Sequence, residues 1–354
     1  MRRALIFGFL AIIGVVGDVP AQSSADPQRD LPKLEILGFS NFTFLATDEE
    51  SAEVDSGFRE GQFVLHFASA LAPSFSVFAE TTLTARQSEA TADIERIIVK
   101  YSYDDSFKLA FGRFHTPINW WNVAFHHGLW LQTTVSRPDM IRFGGEFLPV
   151  HFVGVFADGA IPSGGLNLAY ETGFGNGRGD PLTRGGEAGD VNNNRAVLVK
   201  LSAKPNRPYG LQFGIAAEGD KISEVRLTED FDETILSAYA VFTRETPEVL
   251  AEYAHVRHEG VDSGGTYEND AFYVQAAYRL GAWHNRVKPY ARYERIDVDE
   301  ADPVWLNQVD EEIFLVGVRL DVTTFMATKV EYRREKFGDE PKFNSVYVDA
   351  SFAF

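Results

Sequence analysis

The chain ends on SVYVDASFAF, residues 345–354, and how this stretch is read decides the fold. Val346, Val348, Ala350, Phe352 and Phe354 take every second position, with Ser345, Tyr347, Asp349 and Ser351 between them. A period of two belongs to a strand with unlike faces. A frayed terminus in water gains nothing from a final aromatic ring. At a membrane interface the same ring joins an aromatic girdle. The edge strand of a soluble β-sandwich also alternates, so the choice rests on the rest of the chain.

Upstream the same rhythm returns. Residues 58–71 carry Phe63, Leu65, Phe67 and Leu71 on one face, Gln62 and His66 on the other. Residues 74–86 set Phe75, Val77, Ala79, Thr81 and Leu83 against Ser76, Glu80 and Thr82. The other alternating segments are 33–46, 94–103, 107–115, 150–161, 165–174, 195–203, 209–218, 233–242, 248–258, 270–280, 286–297, 311–322 and 325–336. With the closing stretch they make about sixteen strands, most near bilayer-spanning length. Short turns such as Ala72-Pro73, Asp104-Asp105-Ser106 and Thr323-Thr324 alternate with longer loops such as 116–149, 175–194 and 298–310. That asymmetry marks a membrane barrel with its turns on one side and its loops on the other. A further strand at 141–148 would put the glycine-rich loop 175–194 on the wrong side, so these residues are assigned to the long segment. The expected fold class is all-β: a transmembrane antiparallel β-barrel of about sixteen strands with a long third loop folded inward.

Residues 1–21 read as a leader: Arg2 and Arg3, the apolar run 4–17, then Val19-Pro20-Ala21 as a small-residue cleavage site. A polar lead over 22–32 precedes the barrel over 33–354. Without Arg2, Arg3 and Asp18, 31 basic side chains stand against 50 acidic ones, a net charge near −19. Such a chain repels nucleic acid, and no nucleic-acid partner is expected. The absence of cysteine removes disulfides, thiolate metal sites and cysteine nucleophiles. No apolar run of helical-span length follows residue 21, so a membrane-embedded chain must be a closed barrel.

With the apolar faces toward lipid, the other faces place Arg96, Lys100, Lys108, Lys200, Arg279, Lys288, Arg292, Arg319, Lys329 and Arg333 inside. Glu80, Glu171, Glu218, Glu252, Glu294, Asp321, Glu331 and Asp349 join them. A charge facing hydrocarbon costs roughly 2–4 kcal/mol at the midplane. Charges on nearly every strand therefore predict an aqueous interior unless a loop plugs it, since sixteen strands are too wide for side chains alone to fill. The acidic surplus lies mainly in the loops 48–55, 229–233, 297–302 and 310–312, while the interior is mixed with a slight basic excess.

Residues 111–137 read FGRFHTPINWWNVAFHHGLWLQTTVSR. So apolar a segment must pack, and the barrel wall is the surface on offer. Placed inside, it forms the constriction, with Arg113, His115, Asn119, Arg137 and Arg142 offering polar groups to a solute. Trp120 and Trp121 serve as aromatic anchors or as a stacking platform for sugar rings. His126, His127 and His115 raise the question of a metal. Adjacent residues of an extended chain point apart and no carboxylate sits at ligand spacing, so no metal site is expected. No cofactor is expected either.

FGRFHTPINWW, the long loop after the fifth strand, GFGNGRGD over 173–180 and the following Gly189-Asp190-Val191-Asn192 resemble the outer-membrane porin superfamily, nearest to the phosphate-selective porin O/P-like group. The resemblance implies a bacterial outer-membrane location and a passive channel for small hydrophilic solutes or anions, often as a homotrimer. It also implies that Phe352 and Phe354 on the closing strand serve as a signal to the barrel-assembly machinery. Phosphate selectivity needs a ladder of arginines and lysines that this chain does not match residue by residue, so only the channel carries over. No motif proposes an enzyme. A barrel hydrolase and a closed structural or adhesive barrel stand as the alternatives. Arg178-Gly179-Asp180 is read as a chance match to an adhesion motif.

Overall fold

The structure is a computed structural model that describes residues 32–50, 56–85, 90–125, 127–184, 189, 191–281 and 283–354, with backbone only at Glu60 and Arg184. The leader 1–21, the lead 22–32 except Pro32, and His126 lie outside the described residues. Leu34–Phe354 form one compact unit. Among the described residues seventeen hydrogen-bonded segments form one closed sheet. Two of them are one strand. Gly57–Glu60 pairs with residues 42–45 and Gln62–Ala72 with 34–39, and the register slips by one residue at Gly61. The barrel therefore has sixteen antiparallel strands, as the period-two segments predict.

These are β1 Leu34–Thr47, β2 (Gly57–Glu60 continued by Gln62–Ala72), β3 Phe75–Ala85, β4 Ala90–Ser102, β5 Lys108–His115, β6 His151–Ile161, β7 Leu168–Gly175 and β8 Ala196–Ala203. The second half is β9 Leu211–Ile222, β10 Phe231–Thr243, β11 Glu248–Gly260, β12 Thr266–Ala277, β13 Val287–Asp297, β14 Glu311–Thr323, β15 Met326–Phe337 and β16 Phe343–Ala353. Residues 142–148 form no strand, and only a short 3₁₀ turn, Asp139–Ile141, precedes them.

The closing stretch behaves as its alternation predicts. Val346, Val348 and Phe354 are 38%, 43% and 56% exposed, while Ser345, Asp349 and Ser351 are buried on the inner face. β16 pairs with β1 from Thr47↔Ser345 to Phe39↔Ala353. Beyond it Gly38 and Phe354 exchange both backbone hydrogen bonds, at 2.9 and 3.0 Å. The Phe354 ring lies over Gly38: a Cβ there would lie 2.3 Å from the ring as it stands and would push it aside. The ring covers the bare glycine and meets Phe63, centroids 5.5 Å apart. The outward faces of the other strands are likewise apolar and exposed, for example Ile97, Phe111, Val199, Ile215, Val274, Phe314 and Val330. Among the described residues no helix is long and apolar enough to cross a membrane.

The short turns are locally determined. Asp104 accepts from the Ser106 hydroxyl and from the backbone N–H groups of Ser106 and Phe107 at 2.7–3.0 Å. The Ser106 hydroxyl and N–H hold its carboxyl below the usual carboxylate range.

A loop occupies much of the interior, the exception to an aqueous lumen that the sequence left open. Between β8 and β13 the inner face carries Leu198, Ile235, Leu250, Val256, Ala271 and Ile296 among its charges, all buried. They join one cluster with Ile118, Trp121, Met140, Ile141, Phe147 and Leu148 of the long third loop, together with Val304 and Trp305 of the loop after β13. Much of the lumen is thus filled by chain rather than by water. Period two separates two faces but does not distinguish an inner face that meets water from one that meets a folded loop.

Candidate functional site

The third loop leaves β5 at His115, forms the one-and-a-half-turn helix α1 (Trp120–Phe125), and returns to β6 at His151, the residue paired with His115. Carboxylates on the inner wall hold it by its backbone. Glu252 of β11 accepts from the Trp120 and Trp121 N–H groups at 2.5 and 2.9 Å and from the Tyr273 hydroxyl at 2.5 Å. Glu331 of β15 accepts from Val135 N–H at 2.8 Å, from the Ser136 N–H and hydroxyl, and from the Tyr290 hydroxyl. Glu294 accepts from Asp139 N–H at 2.7 Å. Cations hold the carbonyls. Lys329 donates to Leu129 and Thr134, Arg319 to Trp130 and Gln132, and Arg292 to Ser136 and Arg137. A buried irregular segment must satisfy its backbone somewhere, and here the charged inner wall does it. Glu252→Ala leaves two N–H groups and a phenol without their acceptor, a cost of about 1–3 kcal/mol for each that stays buried. The expected result is a loop that protease nicks at least tenfold faster in a barrel that still forms.

Most of the remaining wall charges are paired; Glu218 of β9 is the exception among the expected wall residues, buried with one carboxylate oxygen that has no hydrogen-bond partner among the described residues. Lys100 meets Asp158 at 2.7 Å, with Lys108 at 4.0 Å from the same carboxylate. Lys200 meets Glu171 at 3.1 Å, and Lys288 meets Glu248 at 2.8 Å. Arg333 lies between Asp139 and Glu335, and Arg96 sits on Glu80. Arg279 lies just beyond β12 rather than within a strand, where it bridges Glu245 and Asp321. Asp349 accepts from Asn41 and Thr43 across the seam.

Of the residues expected at the constriction, Trp121 is fully buried, edge-on to Tyr273 with Arg292 5.5 Å above its ring. Asn119 is buried and caps α1 through Asn122 N–H at 3.0 Å. Arg137 lies flat on Phe143, 3.6 Å from its centroid, and Arg142 meets Glu311 at 3.3 Å. Arg113 reaches His151 at 3.1 Å. Trp120 lines an open cavity on one side of α1, and His115 lines another on its other side. Arg178 is buried against Glu233 at 2.7 Å, so Arg178-Gly179-Asp180 presents no free arginine.

His115 and His127 converge on Glu80. Ligand atoms of the three lie within 4.8 Å of one another, all buried. Around them His66 meets Glu80 at 3.0 Å, and Glu95 lies 3.3 Å from His127 and 2.9 Å from His151. Thr82 donates to Glu95 at 3.0 Å. Spacing along the loop does not show this group, because its carboxylates come from other strands. Glu95 itself departs from strict alternation. Glu80 pairs with Arg96 but Thr81 with Ile94, so Glu95 is the extra residue of a bulge. A bulge turns two successive side chains to one face. The pattern Ile94-Glu95-Arg96-Ile97, two charges between two exposed isoleucines, was the available signal.

Two cavities flank α1. One of about 600 Å³ is lined by Arg96, Lys100, Lys108, Val123, Asp158 and Glu171. The other, about 350 Å³, is lined by Trp120, Ala124, Phe125, Glu245, Lys288 and Arg319. α1 contributes Val123 to the first and Trp120, Ala124 and Phe125 to the second, so it stands between them.

No family model matches the sequence. No curated protein matches it either. Solved structures do match in fold. The anion-selective porin of Comamonas acidovorans superposes with a TM-score of 0.65 at 13% identity, covering 92% of this chain and 100% of that one. The outer membrane channel DcaP of Acinetobacter baumannii gives 0.61 at 12%, covering 91% and 97%. OmpF of Salmonella typhi, in complex with daunomycin, gives 0.60 at 12%, covering 91% and 98%. The chain has the fold of the bacterial outer-membrane porins, a closed sixteen-strand barrel with one loop turned into its lumen.

Proposed function

We propose that the chain is an outer-membrane porin, a passive diffusion channel for small hydrophilic solutes or ions that uses no cofactor and no energy source. The observation that carries this reading is the pair of charged cavities on either side of α1, in a barrel whose outer surface suits lipid. The inserted loop is the constriction, and the paired wall charges set a transverse field rather than a single-sign filter. Around the smaller cavity Arg279, Lys288 and Arg319 face Glu245 and Glu248, which supports a weak anion preference. Kinship with the phosphate-selective O/P-like group rests on the loop motifs. Because the wall cations are already bound to carboxylates and carbonyls, phosphate specificity is not part of the proposal. Assembly through the barrel-assembly machinery and association as a homotrimer are the partners proposed, beside lipid and solute.

A second reading, a closed structural or adhesive barrel, draws support from the apolar packing of the third loop against β8–β13. Single-channel recording of the refolded protein in a planar bilayer under a salt gradient separates the two. Stable conductance with a small reversal potential of anionic sign is expected. No conductance would replace the channel with the closed barrel, and a cationic sign would put the acidic loops in control.

A further inference from the structure

We propose that Glu80, His115 and His127 bind one divalent transition-metal ion, which ties the inserted loop to the barrel wall. Two imidazoles and a carboxylate are a donor set that suits Zn²⁺ and its neighbours better than Mg²⁺ or Ca²⁺. Their ligand atoms already lie within 4.8 Å of one another, on buried side chains from β3, β5 and the loop.

Three details favour an ion over a set of hydrogen bonds. Glu80 Oε2 and His115 Nε2 are 3.4 Å apart, long for a hydrogen bond. Roughly 3.4 Å is the edge of a tetrahedron whose metal–ligand bonds are about 2.0–2.1 Å. His127 Nδ1 lies 2.8 Å from Gln62 Oε1 and donates to it. Its Nε2 lies 3.3 Å from Glu95 Oε2, and in the neutral imidazole the Nε2 lone pair faces that carboxylate, a repulsion that a cation between them removes. Glu80, finally, is held by Arg96 at Oε2, the oxygen that also faces His115, and by His66 at Oε1. A carboxylate has about four lone-pair positions, so both contacts persist as supports that orient it while it ligates.

His115 also lines the 600 Å³ cavity, which gives an ion a route from water. Arg96 and Arg113 place positive charge beside the site. The expected affinity is therefore about micromolar, well short of a structural zinc site. Because His127 belongs to the loop and the other two ligands to the wall, the ion acts as a clasp at the foot of the loop.

The test is a Zn²⁺ titration of untagged, metal-depleted, detergent-folded barrel by calorimetry, with folding checked by heat-modifiable migration. The wild type should bind one Zn²⁺ per chain. His115→Gln and His127→Gln should each weaken binding at least about 30-fold. Glu80→Gln, nearly isosteric, serves as the third variant where a histidine variant fails to fold, and should weaken binding comparably. His284→Ala, in an exposed turn, should bind like the wild type. Zn²⁺ should also slow proteolysis of the loop in the wild type and not in the variants. No saturable binding by the wild type, or equal binding by wild type and the site variants, overturns the site. Binding without loop protection overturns the clasp. The titration reads the ion directly and stands whether or not the barrel conducts.

Discussion

Deleting residues 120–132 should raise single-channel conductance at least about twofold, the order expected when an obstruction leaves a sixteen-strand lumen. The deletion removes α1, which stands between the two cavities, and with it the Trp121 ring buried against Tyr273. It also removes the carbonyls of Leu129, Trp130 and Gln132 that Lys329 and Arg319 bind. Those charges, with Glu252, would then meet water, which solvates them at little cost. None of the sixteen ladders loses a residue, so the barrel should still close. His115 and His151 are register partners, and the remaining chain between them easily spans that gap. Conductance equal to the wild type would mean that solutes pass elsewhere. Conductance absent from both would mean that the packed loops around Phe147 and Trp305, whose rings stack at 5.9 Å, close the barrel by themselves.

Replacing Phe354 by serine should lower the folding equilibrium constant at least about tenfold, read as a loss of folded barrel near the midpoint of a denaturant titration. Burying a phenylalanine is worth about 1.5–3 kcal/mol, and 1.4 kcal/mol is a factor of ten. The ring covers Gly38 at the seam between the first and last strands and packs on Phe63 and Phe352. The serine keeps the two backbone bonds to Gly38 and loses only the ring, so the seam is left thin on its lipid side. Heat-modifiable gel migration measures the folded fraction, both in outer-membrane preparations and after refolding in detergent. A loss in both places the effect in the seam. A loss confined to cells places it in recognition by the assembly machinery. Wild-type amounts in both would remove the terminal aromatic from any role in closure.

Strand number, strand order and the lipid-facing surface were legible along the chain. Val346, Val348 and Phe354 face outward and Asp349 inward because a strand's side chains alternate by covalent geometry, a local property. The long third segment was legible as inserted because its tryptophans needed a surface. How the lumen is used was not legible. Lys329, Glu252 and Glu331 were correctly placed inside, but they hold a loop, and what an inward charge meets depends on chain more than a hundred residues away. The His115–His127–Glu80 group was hidden for the same reason, compounded by the bulge at Glu95, which breaks the period that sequence reading relies on. The sequence by itself determined a sixteen-strand membrane barrel, because alternation and turn length are written residue by residue. Only the tertiary structure decided that its interior is braced by paired charges and by apolar packing of the third loop, because those partners are brought together by closure of the sheet and not by their spacing.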